Sequence, residues 1–284
     1  MVVHSLCIPK FPTVFCSISP NPNPKHFHHS TPNPQLQLKF HTTYRENIRY
    51  LKTLGIISNK NSNTNKFFST ETLDRILSIV NFLSSKGFPD SQIQRLSFLC
   101  PKLFFSDIDP TDIEPVLDFL TKDLSATQDE ACGLILRCPD ILFSDVRFCL
   151  KPTLLFLREI GLEKLNAPTS LNAHLLNTRI GKLTAKVRFL ESLGFSYEES
   201  SRICARLPAI FGYSIDNNLM PKIEYLVREM DRSIDELEAF PQYLAFSLEK
   251  RIAPRHLHLK ARDVSIPLHK MLLWSDQKFY TKWK

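Results

Sequence analysis

The sequence predicts an all-α fold, a solenoid of helix pairs repeating about every 35 residues. Three observations carry that expectation. A proline in an apolar setting returns along the chain: Cys100-Pro101, Cys138-Pro139, Leu207-Pro208 and Phe240-Pro241 each lead into a residue of any kind and two apolar ones. A second set, Pro115, Pro152, Pro221 and Pro254, follows 13 or 14 residues later and precedes Phe119-Leu120, Phe156-Leu157, Tyr225-Leu226 and His258-Leu259. Between the second and third units Ala185 with Phe189-Leu190 keeps this register and puts Asn172 where the first proline belongs, so the period reads 38, 33, 36 and 33. Finally, 7 glycines and no alternating apolar pattern leave little material for a sheet.

Each unit opens with helix-start chemistry. Ser91 with Gln94, Ser125 with Gln128, Ser196 with Glu199 and Ser233 with Glu236 all have capping-box spacing. A short amphipathic helix follows, as with Ile93, Leu96 and Leu99, and it stops before the first proline because a residue preceding proline is pushed out of the α region. The proline and its two apolar followers then form a turn. A second helix begins near Asp112, Phe148, Asn217 or Lys250, with the second proline near its first turn, where the missing N–H costs nothing. Ile113, Val116, Leu117 and Leu120 make its apolar stripe. Gly87, Gly161 and Gly194 end the equivalent helices in a left-handed conformation. The recurring Phe82, Phe119, Phe156 and Phe189 belong to the core.

The N-terminal part differs in kind. Residues 1–45 hold no acid but eight Ser/Thr, seven Pro and five His, which reads as an organelle transit peptide, with residues 1–70 a leader and linker and 71–284 the repeat domain. The late first arginine, Arg45, and the early prolines favour a chloroplast leader, with a mitochondrial one as the alternative. No window approaches the roughly 20 apolar residues of a membrane span. The cysteines carry no C-x-x-C or zinc spacing, and Cys100 and Cys138 share a repeat position with Leu207 and Phe240, so they are small core residues. The chain offers no phosphate-cradling glycine loop, nucleophile elbow or metal-ligand spacing, so neither an enzyme nor a cofactor is expected.

The net charge of +7 is misleading. Residues 1–70 contribute all of it, and the rest balances at 28 basic against 28 acidic. Within that remainder 71–250 carry −6 and 251–284 carry +6. Arg179, Lys182 and Lys186 fall on one helical face, with Arg202 and Arg206 on the next helix. Lys182 and Arg251 both precede a landmark, Ala185 or Pro254, by three residues, so stacked units would line them up against successive phosphates. Arg255, Lys260 and Arg262 extend the basic end. These nine are the candidate nucleic-acid contacts. The acidic group Asp107, Asp109, Asp112, Glu114 and Asp118 would repel a phosphate backbone and suits a protein partner instead.

The proline units, the helices after them and Leu193-Gly194-Phe195 resemble the mitochondrial transcription termination factor (mTERF) family across residues 71–284. Arg251 to His256, Ile266 to Leu272 and Ser275 to Phe279 resemble the end of its plant members. The resemblance implies a left-handed all-α superhelix with a basic groove. It further implies an organellar regulator, a monomer binding double-stranded DNA in transcription termination, or structured RNA in splicing or ribosomal-RNA maturation. The unit around Asn172 departs from the family pattern, and its turn is expected to be irregular.

Overall fold

The computed structural model describes residues 44–57 and 69–284. Every regular element among them is helical, and no helix is long and apolar enough to cross a membrane. The folded body begins at Tyr44, earlier than the boundary at 71 expected from composition. The helix Tyr44–Thr53 buries Leu51, with Leu54 and Ile56 behind it, and Ser97 Oγ donates to the Leu54 carbonyl at 3.2 Å. The acid-poor surroundings of this short apolar run hide it from a reading by composition. The rest of the expected leader and linker, residues 1–43 and 58–68, lies outside the described residues.

The proline rule holds in every unit that has the proline. Cys100, Cys138, Leu207 and Phe240 each end a helix in one shared conformation, φ between −133° and −143° and ψ between 68° and 77°, because the next residue's pyrrolidine ring clashes with a helical predecessor. The segments after these prolines are more regular than turns. Pro139–Phe143, Pro208–Gly212 and Pro241–Ala245 are short 3₁₀ helices, and Lys102–Phe105 is a single α turn. They bury Leu103, Phe104, Ile141, Leu142, Ile210, Tyr243 and Leu244, so they are core rather than connection.

The second helices start earlier than expected. Asp145, Ser214 and Ser247 accept hydrogen bonds from Phe148, Asn217 and Lys250 N–H groups and cap π turns at Val146–Leu150, Ile215–Leu219 and Leu248–Ile252, which run straight on into Lys151–Glu159, Met220–Glu224 and Ala253–Lys260. Pro152, Pro221 and Pro254 therefore stand seven residues past their caps, not in the first turn. A proline there lacks its N–H and presses on the carbonyl four residues back; widening the preceding turn to five-residue spacing relieves both. Pro115 and Ala185 lie only six residues past their caps, Asp109 and Arg179, and the helices Pro110–Asp118 and Ile180–Ser192 begin without a π turn.

Positive φ marks the helix ends. It occurs at Gly55, Gly87, Gly161 and Gly194, and at Ser125, Asp231 and Asp263, positions 32, 38, 36, 33, 37 and 32 residues apart. Three non-glycine residues thus accept the left-handed conformation that glycine takes freely. This corrects one expected cap: Ser125 is the end of the preceding helix, and the capping box is formed by Thr127 and Glu130. Ser196 and Glu199 form the expected box. Ser91 lies inside the helix Asp90–Leu99, which starts after Pro89, and Ser233 folds back onto the N–H of Asp235 instead of capping a full helix.

The turn around Asn172, expected to be irregular, is a regular helix, and the departure lies in the segment before it. Asn172 sits in the helix Ser170–Leu176, and its Nδ2 donates to the carbonyls of Lys164 and Ala167 at 2.8 and 3.0 Å, tying down the non-helical segment that replaces a first helix. Phe119, Phe156 and Phe189 are buried and Phe82 packs against the core. Cys100 and Cys138 are buried too, and burial pushes the thiols of Cys132 and Cys204 up to about 11 and about 12.

Candidate nucleic-acid interface

Leu183, Val187, Phe189 and Leu190 anchor the helix Ile180–Ser192 in the core, which turns Arg179, Lys182 and Arg188 outward and exposed. None of the three has an ion-pair partner among the described residues. Arg179 lies near the Cys149 thiol, whose pKa burial raises and the guanidinium lowers, so this basic face adjoins the start of the preceding second helix.

Lys186 is placed differently from its two neighbours. It is half-buried, and burial pulls its ammonium below the usual lysine range, with Asp216 opposing. Its register explains why. Lys186 follows the landmark Ala185 by one residue, as Thr153, Lys222 and Arg255 follow Pro152, Pro221 and Pro254. All three of those are buried and donate to backbone carbonyls of the next unit: Thr153 Oγ1 to Thr178 at 2.8 Å, Lys222 Nζ to Leu244 at 2.6 Å, Arg255 to Met271 and Trp274 at 2.5 and 2.8 Å. The position fastens adjoining units together.

Arg255 is accordingly withdrawn from solvent, 1 % exposed, with Asp276 Oδ1 at 2.5 Å from Nη2 and the Phe279 ring against its guanidinium. It cannot touch a phosphate from there, and the expectation that it does is corrected. Arg251 turns the same way: its guanidinium lies over the Phe246 ring, 3.3 Å from the Trp274 carbonyl and 3.8 Å from Asp276. The expected line of Lys182 and Arg251 thus keeps one free member.

Arg202 is spent on Glu238 at 2.7 Å, and Arg206 donates to the carbonyls of Glu238 and Ala239 at the end of the neighbouring helix. Both face the adjoining unit. Lys260 and Arg262 are exposed, and Arg262 also donates to its own helix at the His258 carbonyl. Arg179 and Lys182 therefore stand three residues apart at the start of one helix, and Arg188 lies exposed farther along it; Lys250, whose sequence context shows only a helix start, is exposed as well. The signal that separates spent from free cations is present in the sequence: partners stand one unit apart, as Arg202 and Glu238 do at 36 residues and Lys102 and Asp140 at 38.

The family model for mTERF matches residues 80–166 and 120–280. The chain belongs to the mTERF family. Among curated mTERF relatives, transcription termination factor MTERF2, chloroplastic, of Arabidopsis thaliana is 38% identical over 106 residues, 37% of this chain and 16% of that protein. Transcription termination factor MTERF8, chloroplastic, of the same plant is 23% identical over 263 residues, 80% of this chain and 51% of its own length. Transcription termination factor MTERF15, mitochondrial, also of Arabidopsis thaliana, is 31% identical over 186 residues, 63% of this chain and 40% of its own. The matched region thus spans at most about half of these mTERF proteins.

Proposed function

We propose that this mTERF protein is an organellar nucleic-acid-binding regulator of gene expression, and that it grips its ligand by the phosphate backbone through Arg179, Lys182 and Arg188, with Lys250, Lys260 and Arg262 extending the contact. The observation that carries the reading is that these cations stay exposed without an ion-pair partner among the described residues, whereas the other candidate cations Arg202, Arg251 and Arg255 face acids one unit on. The names of the relatives support transcription termination as the process. The acid-poor leader supports an organelle as the compartment, and its late first arginine and early prolines favour a chloroplast over a mitochondrion. The recurrence of positive φ at helix ends and the carbonyl-fastening position support a solenoid of about 35-residue units as the scaffold, its left hand being what the family resemblance implies. Double-stranded DNA and structured RNA offer the same phosphates, and the acidic first units suit a protein partner.

The test is fluorescence anisotropy of a labelled duplex DNA and a labelled stem-loop RNA over a salt series. Log affinity should fall by about 0.9 per phosphate contacted for each decade of salt with the duplex. Changing Arg179, Lys182 and Arg188 together to Glu should abolish retention of both ligands. Unchanged affinity in that variant would refute the site.

A further inference from the structure

We propose that Arg251 is a phosphate contact held in reserve: Asp276, at the start of the last helix, keeps its guanidinium off the ligand, and neutralising that one carboxylate lengthens the interface by one cation. The inference rests on the phosphate-binding reading above. Arg251 stands three residues before Pro254 as the exposed Lys182 stands three before Ala185, and its chain neighbour Lys250 is exposed. Register and charge therefore suit it to the ligand. Its side chain is nevertheless turned to the C-terminal segment 274–276, where the Trp274 carbonyl and the Asp276 carboxylate face it.

Two arginines share the Asp276 carboxylate, and unequally. Arg255 has a side chain 1 % exposed, reaches Oδ1 at 2.5 Å and also donates to the Met271 and Trp274 carbonyls, so it is fixed in place. Arg251 keeps 31 % of its side chain exposed and lies 3.8 Å from the same oxygen, beyond hydrogen-bond reach; its hydrogen bond goes to the Trp274 carbonyl at 3.3 Å. What holds it is mainly attraction at a distance, with the Phe246 ring against the guanidinium at 5.3 Å. Such a hold is weak enough for a change of rotamer to carry the charge into solvent, a movement that burial denies to Arg255. The hydrogen bond from Arg255 and the charges of both arginines keep the Asp276 carboxyl below its usual range, so at neutral pH it is ionised and the hold is on. Residues 251–284 carry eight Lys and Arg against two acids, Asp263 and Asp276, so removing the Asp276 charge halves the acid of this basic end.

The test uses the full chain and the anisotropy of a labelled blunt DNA duplex of about 15 base pairs over a salt series. Asp276→Asn keeps an oxygen that accepts from Arg255, so the last helix stays seated, which unchanged emission from Trp274 and Trp283, the chain's two tryptophans, reports. This variant should bind about threefold tighter at low salt and steepen the slope of log affinity against log salt by about one unit. Arg251→Ala alone should leave the slope as it is, and combined with Asp276→Asn it should erase the gain. A gain that survives in the double variant is plain relief of repulsion and overturns the proposal. Should the emission shift, Arg251→Ala decides, since it leaves Asp276 intact: a loss equal to that of Lys182→Ala would mean that Arg251 already touches the ligand and is not withheld. If Asp276→Asn gains nothing while Lys182→Ala weakens binding, the reserve contact falls and the phosphate reading stands. If the wild type retains no duplex at low salt, both fall.

Discussion

Lys222 donates from its ammonium to the carbonyl oxygen of Leu244 at 2.6 Å, joining the second helix of one unit to the 3₁₀ turn of the next. The contact is reciprocal, since the Tyr243 hydroxyl donates back to the Lys222 carbonyl at 2.8 Å. Asn218 Oδ1 accepts a second bond from the same ammonium. Lys222→Met fills similar volume but strands these buried acceptors, and should cost about 1–3 kcal/mol in urea unfolding. Burial lowers the Lys222 pKa from its ordinary 10.5. The unfolded chain therefore holds the proton more tightly, and the burial penalty, full below the folded pKa, fades as pH rises toward 10.5. The stability gap between wild type and Lys222→Met should widen from neutral to alkaline pH; a constant gap would show that the ammonium is not desolvated.

The same position in the last unit carries an acid-sensitive contact. Asp276 is held below the usual carboxylate range by its hydrogen bond from Arg255, with Arg251 adding attraction. A depressed carboxylate stabilises the fold above its unfolded pKa of 3.8 and loses that contribution as pH falls through the lower folded value. Asp276→Asn should therefore melt below the wild type at neutral pH, with the difference closing in strong acid. Arg255→Met, which strands the Met271 and Trp274 carbonyls, should be worse than Asp276→Asn at every pH, by about 1–3 kcal/mol at neutrality.

Much of the fold could be read from the chain because its physical causes are local. The stop before Pro101, Pro139, Pro208 and Pro241 comes from a clash between adjacent residues, and the glycine helix ends at Gly87, Gly161 and Gly194 come from a single φ angle. The π turns ahead of Pro152, Pro221 and Pro254 were not legible, because they go with a spacing of seven residues from cap to proline, against six for Pro115. The caps expected at Ser125 and Ser233 failed because serine serves turns as well as helix starts. At the candidate site, periodicity anticipates that Lys182 is exposed on its helix, with Arg179 standing at the cap, but it treats Arg202 and Arg255 as free when their partners, Glu238 and Asp276, belong to later parts of the chain. Charge pairing one period apart is visible in the sequence; a guanidinium buried against carbonyls is not.

The helix ends offer a test of stored strain. Asp231 and Asp263 hold φ of 51° and 53° where other units have glycine. Asp231→Gly and Asp263→Gly should each stabilise the protein by about 0.5–1 kcal/mol. Gly194, at φ 108° with open space around a built Cβ, should lose about 1 kcal/mol or more on change to Ala from backbone strain alone. Equal melting temperatures across the three variants would contradict the left-handed assignment.

The free and spent cations should separate in their salt dependence, a comparison that cancels differences in overall affinity. Lys182→Ala removes one exposed charge and no packing, so it should weaken duplex binding and reduce the magnitude of the log-affinity against log-salt slope by about one unit. Lys250→Ala should do the same if the contact extends to the next second helix. Arg202→Ala should leave the slope unchanged, because its guanidinium already neutralises Glu238, and its removal exposes an acid at the neighbouring unit instead. A slope that falls equally for Lys182→Ala and Arg202→Ala would mean that the phosphate backbone tracks the first helices of the units, moving the interface away from the helix Ile180–Ser192.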